Sequence, residues 1–320
     1  MRPFFSAAFA IVIALAATLL PATTDDYPTK PIKLIIPYPG GSGGDVSGRI
    51  LAQEMSKILG RNVFVENRAG ALGTIGSGLA VRAPADGYTL LLGNPGTHGA
   101  ASTMIPNLSY DPIDDFTPIS MVNKNLLAVM VNKDLPVNTL AELIAYAKAN
   151  PGKLSYGTPG VGTPHWLAGE TLKKLAGIDV LHVPFQGGAP AMSALLGGHV
   201  LVVVGSLSTG VEQYKSGQIK MLGIAEPTRI AEFPEVPAVA ELYTGFDFSG
   251  WWGLFGPRGL PQPIVERLNA AVRDSLAIPE LKSAFEAAGF VPVATTPAGL
   301  QDRVRDEIPR WKEFAKAEKP

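Results

Sequence analysis

Between an apolar run at Ile32–Ile36 and a helical pattern, the chain reads Pro-Tyr-Pro-Gly-Gly-Ser-Gly-Gly-Asp over residues 37–45. Several chemistries place glycines at such a junction. A dinucleotide-binding fingerprint needs G-x-G-x-x-G, but counting from Gly41 through Gly43 the last position is Val46. A phosphate-cradling loop ends in Gly-Lys-Ser/Thr, whereas Gly48 is followed by Arg49 and Ile50. Gly40-Gly41-Ser42-Gly43-Gly44 does spell the G-x-S-x-G of a nucleophile elbow, with Ser42 as nucleophile and His98, His165, His182 and His199 as candidate bases. Such an elbow would follow the first strand after the leader, with no room for the strands and oxyanion loop that a hydrolase builds first. An exported serine esterase is therefore the alternative reading.

The leading reading uses the main chain. A helix N-terminus exposes up to about four unpaired N–H groups and about half a positive charge, so a carboxylate or phosphate is held there without lysine or arginine. Gly43 and Gly44 let a ligand approach the amides, and Ser42 adds a hydroxyl. Asp45 caps the helix and orients the loop, or else holds a bridging water or a ligand ammonium group. Charge-assisted hydrogen bonds contribute roughly 1.5–3 kcal/mol each. Three of them at one carboxylate, less the cost of immobilising the ligand, give about −8 kcal/mol, which is micromolar binding.

The elements that position this loop repeat along the chain. A strand at Ile32–Ile36 meets a helix running from Asp45 to Leu59 and closed by Gly60, with Val46, Ile50, Leu51, Met55, Ile58 and Leu59 on its apolar face. Residues 88–92 run into GNPGTHGAAS, 154–156 into GTPGVGTPHW, 180–183 into PFQGGAPA and 200–204 into GSLSTG. Each time a strand's carboxyl end meets small polar residues where a helix begins, which predicts parallel α/β sheets with ligands at those ends. LLAVMVN (126–132) and SGWWGLFGP (249–257) are either strands that carry the chain between two lobes or ordinary core strands. The first option divides the chain into 27–126 plus 252–320, and 127–251. Trp251 and Trp252 read as packing residues.

At 320 residues, 46% hydrophobic and 17% charged, the chain is globular and long enough for two lobes. A net charge of −1 without a basic block gives nucleic-acid binding no electrostatic support. Arg2, an apolar run over residues 4–20 and small residues near Ala22–Thr24 have the order of a signal peptide over 1–24, with an uncleaved anchor as the other option. The chain has no cysteine, which excludes disulfides, thiol catalysis and lipidation through cysteine. No cofactor or metal is expected: no histidine and carboxylate spacing suggests zinc, and Asp111, Asp114 and Asp115 read as turn and helix-start chemistry rather than a calcium loop. The segment 263–319 reads as helices presenting a solvated face over the first lobe.

Several segments together resemble the Bug-type periplasmic receptors of tripartite tricarboxylate transporters. They are YPTKPIKLIIPYPGGSGGD, VENRAGALGTIGS (65–77), DGYTLLLGNPGTH (86–98), YDPIDDFTPIS (110–120), LSYGTPGVGTPHWLAGE (154–170), HVPFQGGAPAMSALLGG (182–198), and PEVPAVAEL, GWWGLFGP and PIVERLN further on. The resemblance implies a two-lobed, type II periplasmic binding protein-like α/β fold, each lobe a mostly parallel sheet flanked by helices with the ligand cleft between lobes. It also implies a monomeric receptor that passes a small organic acid to membrane transporter subunits. Carried onto this sequence, the ligand-binding residues are Tyr38, Gly41, Ser42, Gly43, Gly44 and Asp45 in the first lobe and Thr158, Gly162, Thr163 and His165 in the second. Asn94, Thr97, His98, Phe185, Gln186 and Gly187 line the cleft. His98 is either a ligand donor or structural. Gly44 stands where the family commonly has threonine or another bulkier residue, and Gln186 where it often has a cation. His165 falls one position early, with Trp166 in its expected place. Ala194 and Leu201 replace common aspartates. These departures point away from the familiar dicarboxylates, toward a monocarboxylate or a more apolar acid.

Overall fold

The computed structural model describes residues 27–317, so the expected leader over 1–24 lies outside the described residues. In chain order the elements are β1 (Ile32–Ile36), α1 (Gly43–Leu59), β2 (Val63–Asn67), α2 (Thr74–Val81), β3 (Thr89–Gly93), α3 (Ala101–Met104) and β4 (Phe116–Asn125). Then follow β5 (Leu127–Asn132), α4 (Leu140–Ala149), β6 (Ser155–Thr158), α5 (Pro164–Ala176), β7 (Leu181–Pro184), α6 (Gly188–Leu196), β8 (Val202–Ser206), α7 (Val211–Lys215) and β9 (Ile219–Ile224). The chain closes with β10 (Gly250–Pro257), α8 (Gln262–Leu276), α9 (Pro279–Ala287), β11 (Phe290–Pro292) and α10 (Pro297–Ala317).

Two sheets form, in the orders β11-β4-β10-β3-β1-β2 and β7-β6-β8-β5-β9. The chain leaves the first sheet at Asn125 and enters the second at Leu127, then returns between Ile224 and Gly250. In each sheet most strands share one direction, β1 to β4 in the first and β6 to β9 in the second. The antiparallel pairings arise because β10, coming back from the second sheet, inserts between β3 and β4, while β5 inserts between β8 and β9.

Strand alternation sorts β1 onto two cores. Ile32, Leu34 and Ile36 pack with Leu51, Met55 and Leu59 of α1 and with Leu268 and Val272 of α8. Ile35 faces the opposite way, onto Leu91, Trp251, Phe255 and the α10 residues Leu300 and Val304. Each such aliphatic side chain contributes about 1.5–3 kcal/mol on full burial. Of the apolar face expected for α1, Leu51, Met55 and Leu59 are buried and Ile50 and Ile58 pack half-buried on the same core. Val46 departs from it and is exposed, and the buried line continues to the helix start through Gly48, Ser47 and Gly44. The reason is close approach at the helix start: a Cβ on Gly48 would lie 2.5 Å from Ile36 Cδ1. The last helix is likewise more than a solvated face. Glu307 of α10 accepts the indole N–H of Trp251 (3.1 Å) and of Trp311 (3.0 Å), tying α10 to β10.

Candidate functional site

β1 delivers the chain through Pro37–Gly41 to Ser42, the N-cap of α1. Ser42 Oγ accepts from Asp45 N–H at 3.3 Å, and the helical ladder starts with Val46 N–H donating to Ser42 C=O at 2.9 Å. The cap expected of Asp45 is therefore made by Ser42, one turn earlier. Asp45 lies inside the first turn at 5% exposure. Its Oδ2 accepts Gly41 N–H (2.9 Å), and its Oδ1 accepts Arg49 Nε (2.9 Å) and Asn67 Nδ2 (3.0 Å). Burial pushes this carboxyl up, but the Arg49 guanidinium, the Gly41 amide and the Asn67 amide outweigh it and hold Asp45 below the usual carboxylate value.

Two corrections follow. Gly41 N–H is used inside the protein, which leaves Gly43 and Gly44 as the helix-start amides without an acceptor among the described residues. Asp45 is an internal brace, with its charge matched by Arg49. The left-handed φ of Gly41, 77°, is what turns its N–H back toward that carboxylate.

Tyr38, following β1, donates its hydroxyl to Asn94 Oδ1 at 2.9 Å, and burial keeps that phenol protonated by pushing its pKa up. Asn94 Oδ1 also accepts Thr97 N–H (3.1 Å), while Thr97 Oγ1 accepts Asn94 N–H (3.0 Å). Thr97 and His98 lie in a π-helical turn, Gly96–Ala100, and both are 0% exposed. The expectation that His98 lines the cleft is corrected: its ring stacks on Phe255 at 4.1 Å and packs against Phe116 and Trp251. Its Nδ1 lies 2.8 Å from Thr97 Oγ1, and burial pushes its pKa down to about 3. The histidine belongs to the apolar layer between β10 and α10.

In the second lobe β6 leads to Thr163, the N-cap of α5, whose Oγ1 accepts Trp166 N–H (3.3 Å) and donates to Gly160 C=O (2.7 Å). Pro164 at the first helical position has no N–H. Of the first three helical residues, His165 alone keeps an uncapped amide. Its ring is 7% exposed, with Nε2 3.0 Å from Ser206 Oγ, Nδ1 without a partner, and a pKa pushed down by burial to about 4. Thr158 is turned inward, its Oγ1 2.8 Å from His182 Nε2, so it positions the loop rather than facing the cleft. Phe185 packs toward β6, where a Cβ on Gly157 would lie 2.9 Å from its Cε2. Gln186 is exposed and Gly187 caps α6.

The two loops meet through a residue that the sequence gives no signal for. Leu72 holds a left-handed φ of 56°, uncommon for a branched side chain, and its C=O lies 3.4 Å from the Tyr38 hydroxyl. A Cβ on Gly162 would lie 2.9 Å from Leu72 Cδ2 and 3.4 Å from Met104 Sδ. Leu72 thus links the Tyr38 end of the first loop to the Gly162 turn that precedes α5. Gly162 itself needs its φ of 78° and the space that its missing side chain leaves.

Among the described residues, the side-chain hydrogen bonds of Ser42 and of three candidate histidines lead elsewhere than to each other. Ser42 Oγ serves the cap, whereas His98 bonds Thr97, His165 bonds Ser206 and His182 bonds Thr158. Asp111 and Asp115 do make turn bonds, accepting N–H groups of Ile113, Asp114 and Asp111 at 2.7–2.8 Å. Among the described residues no group of three or more acidic or histidine side chains is placed to hold a metal, and no helix is long and apolar enough to cross a membrane.

A family model described as tripartite tricarboxylate transporter family receptor matches residues 48–319. The chain belongs to that family. The receptor is 35% identical over 307 residues to Protein BugT of Bordetella pertussis, covering 95% of this chain and 94% of the relative. Its fold matches the periplasmic binding protein BugD with a TM-score of 0.80 and 33% identity, covering 91% of this chain and 98% of that one. It also matches MatC from Rhodopseudomonas palustris, solved with bound malate, with a TM-score of 0.80 and 32% identity over 90% of this chain and 100% of that one. The two-sheet molecule is therefore a solute-binding receptor with the two-lobed periplasmic fold.

Proposed function

We propose that this receptor works in the periplasm, closes on one small organic carboxylate, and delivers it to the membrane subunits of a tripartite transporter without chemical change. The lobes in this reading are 27–126 plus 252–320, and 127–251, hinged where the chain crosses between sheets, and the working unit is a monomer. The observation that carries the reading is a pair of strand-to-helix junctions, one after β1 and one after β6, whose helix starts at Ser42–Gly44 and Thr163–His165 keep uncapped main-chain amides, the second of them beside the Gly162 turn on which Leu72 packs. Such uncharged N–H groups favour an anion without needing a cationic side chain. The malate bound in MatC is a carboxylate of this class. Excluding water as the lobes close strengthens those hydrogen bonds.

A thermal-shift panel of organic acids on the mature protein, followed by calorimetry, tests the reading. Gly43→Val blocks the amides while preserving the fold, because a Cβ at 43 meets only Phe290 at an ordinary 3.6 Å. Loss of carboxylate binding with an unchanged circular dichroism spectrum is expected; wild-type affinity in Gly43→Val removes the first-lobe seat. Ser42→Ala weakens α1 by about 1 kcal/mol through its cap, and measurable ester turnover that this variant abolishes would restore the esterase reading.

A further inference from the structure

Trp251 and Trp311 both donate their indole N–H to Glu307. Trp252 differs. It is 7% exposed, yet its Nε1–H reaches no acceptor among the described residues. The fully enclosed polar atoms without a partner are His98 Nε2, Asn123 Oδ1, Asn125 Oδ1, His165 Nδ1 and Glu226 Oε1. The Trp252 nitrogen is not among them, so the small part of that side chain that reaches solvent includes its N–H. The Trp252 donor is thus open on its solvent side while the rest of the side chain is packed beside the first turn of α1.

Its position is set by Gly44. A Cβ there would lie 2.5 Å from Trp252 Cη2, 2.7 Å from Cζ3 and 3.1 Å from Cζ2, so the glycine lets the six-membered edge of the indole slide under the first turn of α1. The Tyr38 ring meets the indole edge-on, with centroids 5.6 Å apart at 86°. β10 shifts register between Trp252 and Gly253, the kind of irregularity that re-aims a side chain. Phe290 completes the wall beside Gly43. Asn94 adds a second uncharged donor: its Oδ1 is occupied by Tyr38 and Thr97, which leaves its NH2 facing away from them. On the other side, Pro164 and the Thr163 cap leave α5 one free amide in its first three residues, and His165 is neutral.

We infer that Trp252 is a specificity-determining residue: its indole N–H donates to the carboxylate held at the start of α1, and its ring with Tyr38 and Phe290 selects a monocarboxylate with a flat, weakly hydrated body over a dicarboxylate. The inference rests on the first-lobe seat proposed above. The uncharged donors are asymmetric: the Gly43 and Gly44 amides with the Asn94 amide on the first side, and the single uncapped amide of His165 on the second. An aromatic body gains dispersion and edge contacts against the indole that an aliphatic acid does not make.

Calorimetry with benzoate and malate as probes tests it on the mature chain. The wild type binds benzoate at least tenfold more tightly than malate. Trp252→Phe keeps a ring and loses the donor, weakening benzoate and malate alike by five- to twentyfold, whereas Trp252→Leu loses the flat face as well and removes the preference for benzoate. Gly44→Ala pushes the indole from its niche and removes the same preference, with the fold monitored by circular dichroism. Equal or tighter binding of malate by the wild type, no detectable benzoate binding, or an unchanged benzoate affinity in Trp252→Phe overturns the assignment. Gly43→Val separates the two levels. If it abolishes binding of both acids while Trp252→Phe is neutral, only the role of Trp252 fails; if it binds like the wild type, the seat itself fails.

Discussion

At Asp45 one carboxylate gathers partners from three parts of the chain: the Gly41 amide before it, Arg49 one turn later and Asn67 at the end of β2. Its folded pKa is lowered, so these contacts stabilise the protein at neutral pH and are lost as the pH falls through that depressed value. The buried histidines act over a higher window. Burial pushes His98 to about 3 and His165 to about 4, so between about 6.5 and 4 the unfolded chain takes up protons that the folded one refuses. Stability present above 6.5 therefore falls by about 1.4 kcal/mol per pH unit for each of these histidines as acid is added. His98→Phe keeps a ring against Phe255 and removes one titrating group. Urea titrations across that window are expected to show a slope smaller by about one proton, and an unchanged slope would mean that His98 is not held neutral. The glycine loop was legible because glycine and serine types announce a helix start. The inward turn of His98 was not, because its ring partners Phe116, Trp251 and Phe255 are set by strand packing that no local pattern encodes.

Among the elements, the strand-to-loop junctions were readable to within a residue or two, since β-branched runs end at Gly, Ser and Thr. The face of α1 was readable from Ile50 onward, but its first turn was not, because there Gly44 and Gly48 carry the buried line while Val46 turns out to solvent. Close approach to Ile36 and Trp252 decides that face. β4 was hidden as well, since Asp111, Asp114 and Asp115 just before it read as turn and helix-start chemistry, while its pairing with β10 supplies the order. α5 carries the more exposed expectation. Thr163 both caps Trp166 N–H and fastens Gly160 C=O, so Thr163→Ala is expected to cost about 1 kcal/mol in chemical denaturation and to loosen the second-lobe half of the seat, weakening carboxylate binding severalfold. Thr163→Ser is expected to restore both.

Over the whole molecule, residues of the first and second sheets' layers touch at several further places. Leu167 of α5 packs with Ala100 and with Trp311 of α10. Lys124 of β4 lies 3.6 Å from Glu226 beyond β9, a carboxyl that burial pushes up. Gly289, between α9 and β11, holds a φ of 74°, and a Cβ there would fall 1.8 Å from Ser208 Cβ. Gly289→Ala is therefore expected to hold the lobes apart, raising the radius of gyration in small-angle scattering and weakening solute affinity; an unchanged radius with unchanged affinity would show that this contact does not govern closure. These contacts were beyond the sequence because each joins residues far apart in the chain across two separately built sheets. The first sheet has a further property. β10 fills the place between β3 and β4, yet it is made after the whole second sheet, and its Trp251 waits for Glu307 near the end of the chain. For a polypeptide emerging amino end first, the lobe begun first is the last to be completed. The second sheet has all its strands in hand by residue 224, while the facing edges of β3 and β4 stand exposed to wrong pairing until β10 arrives.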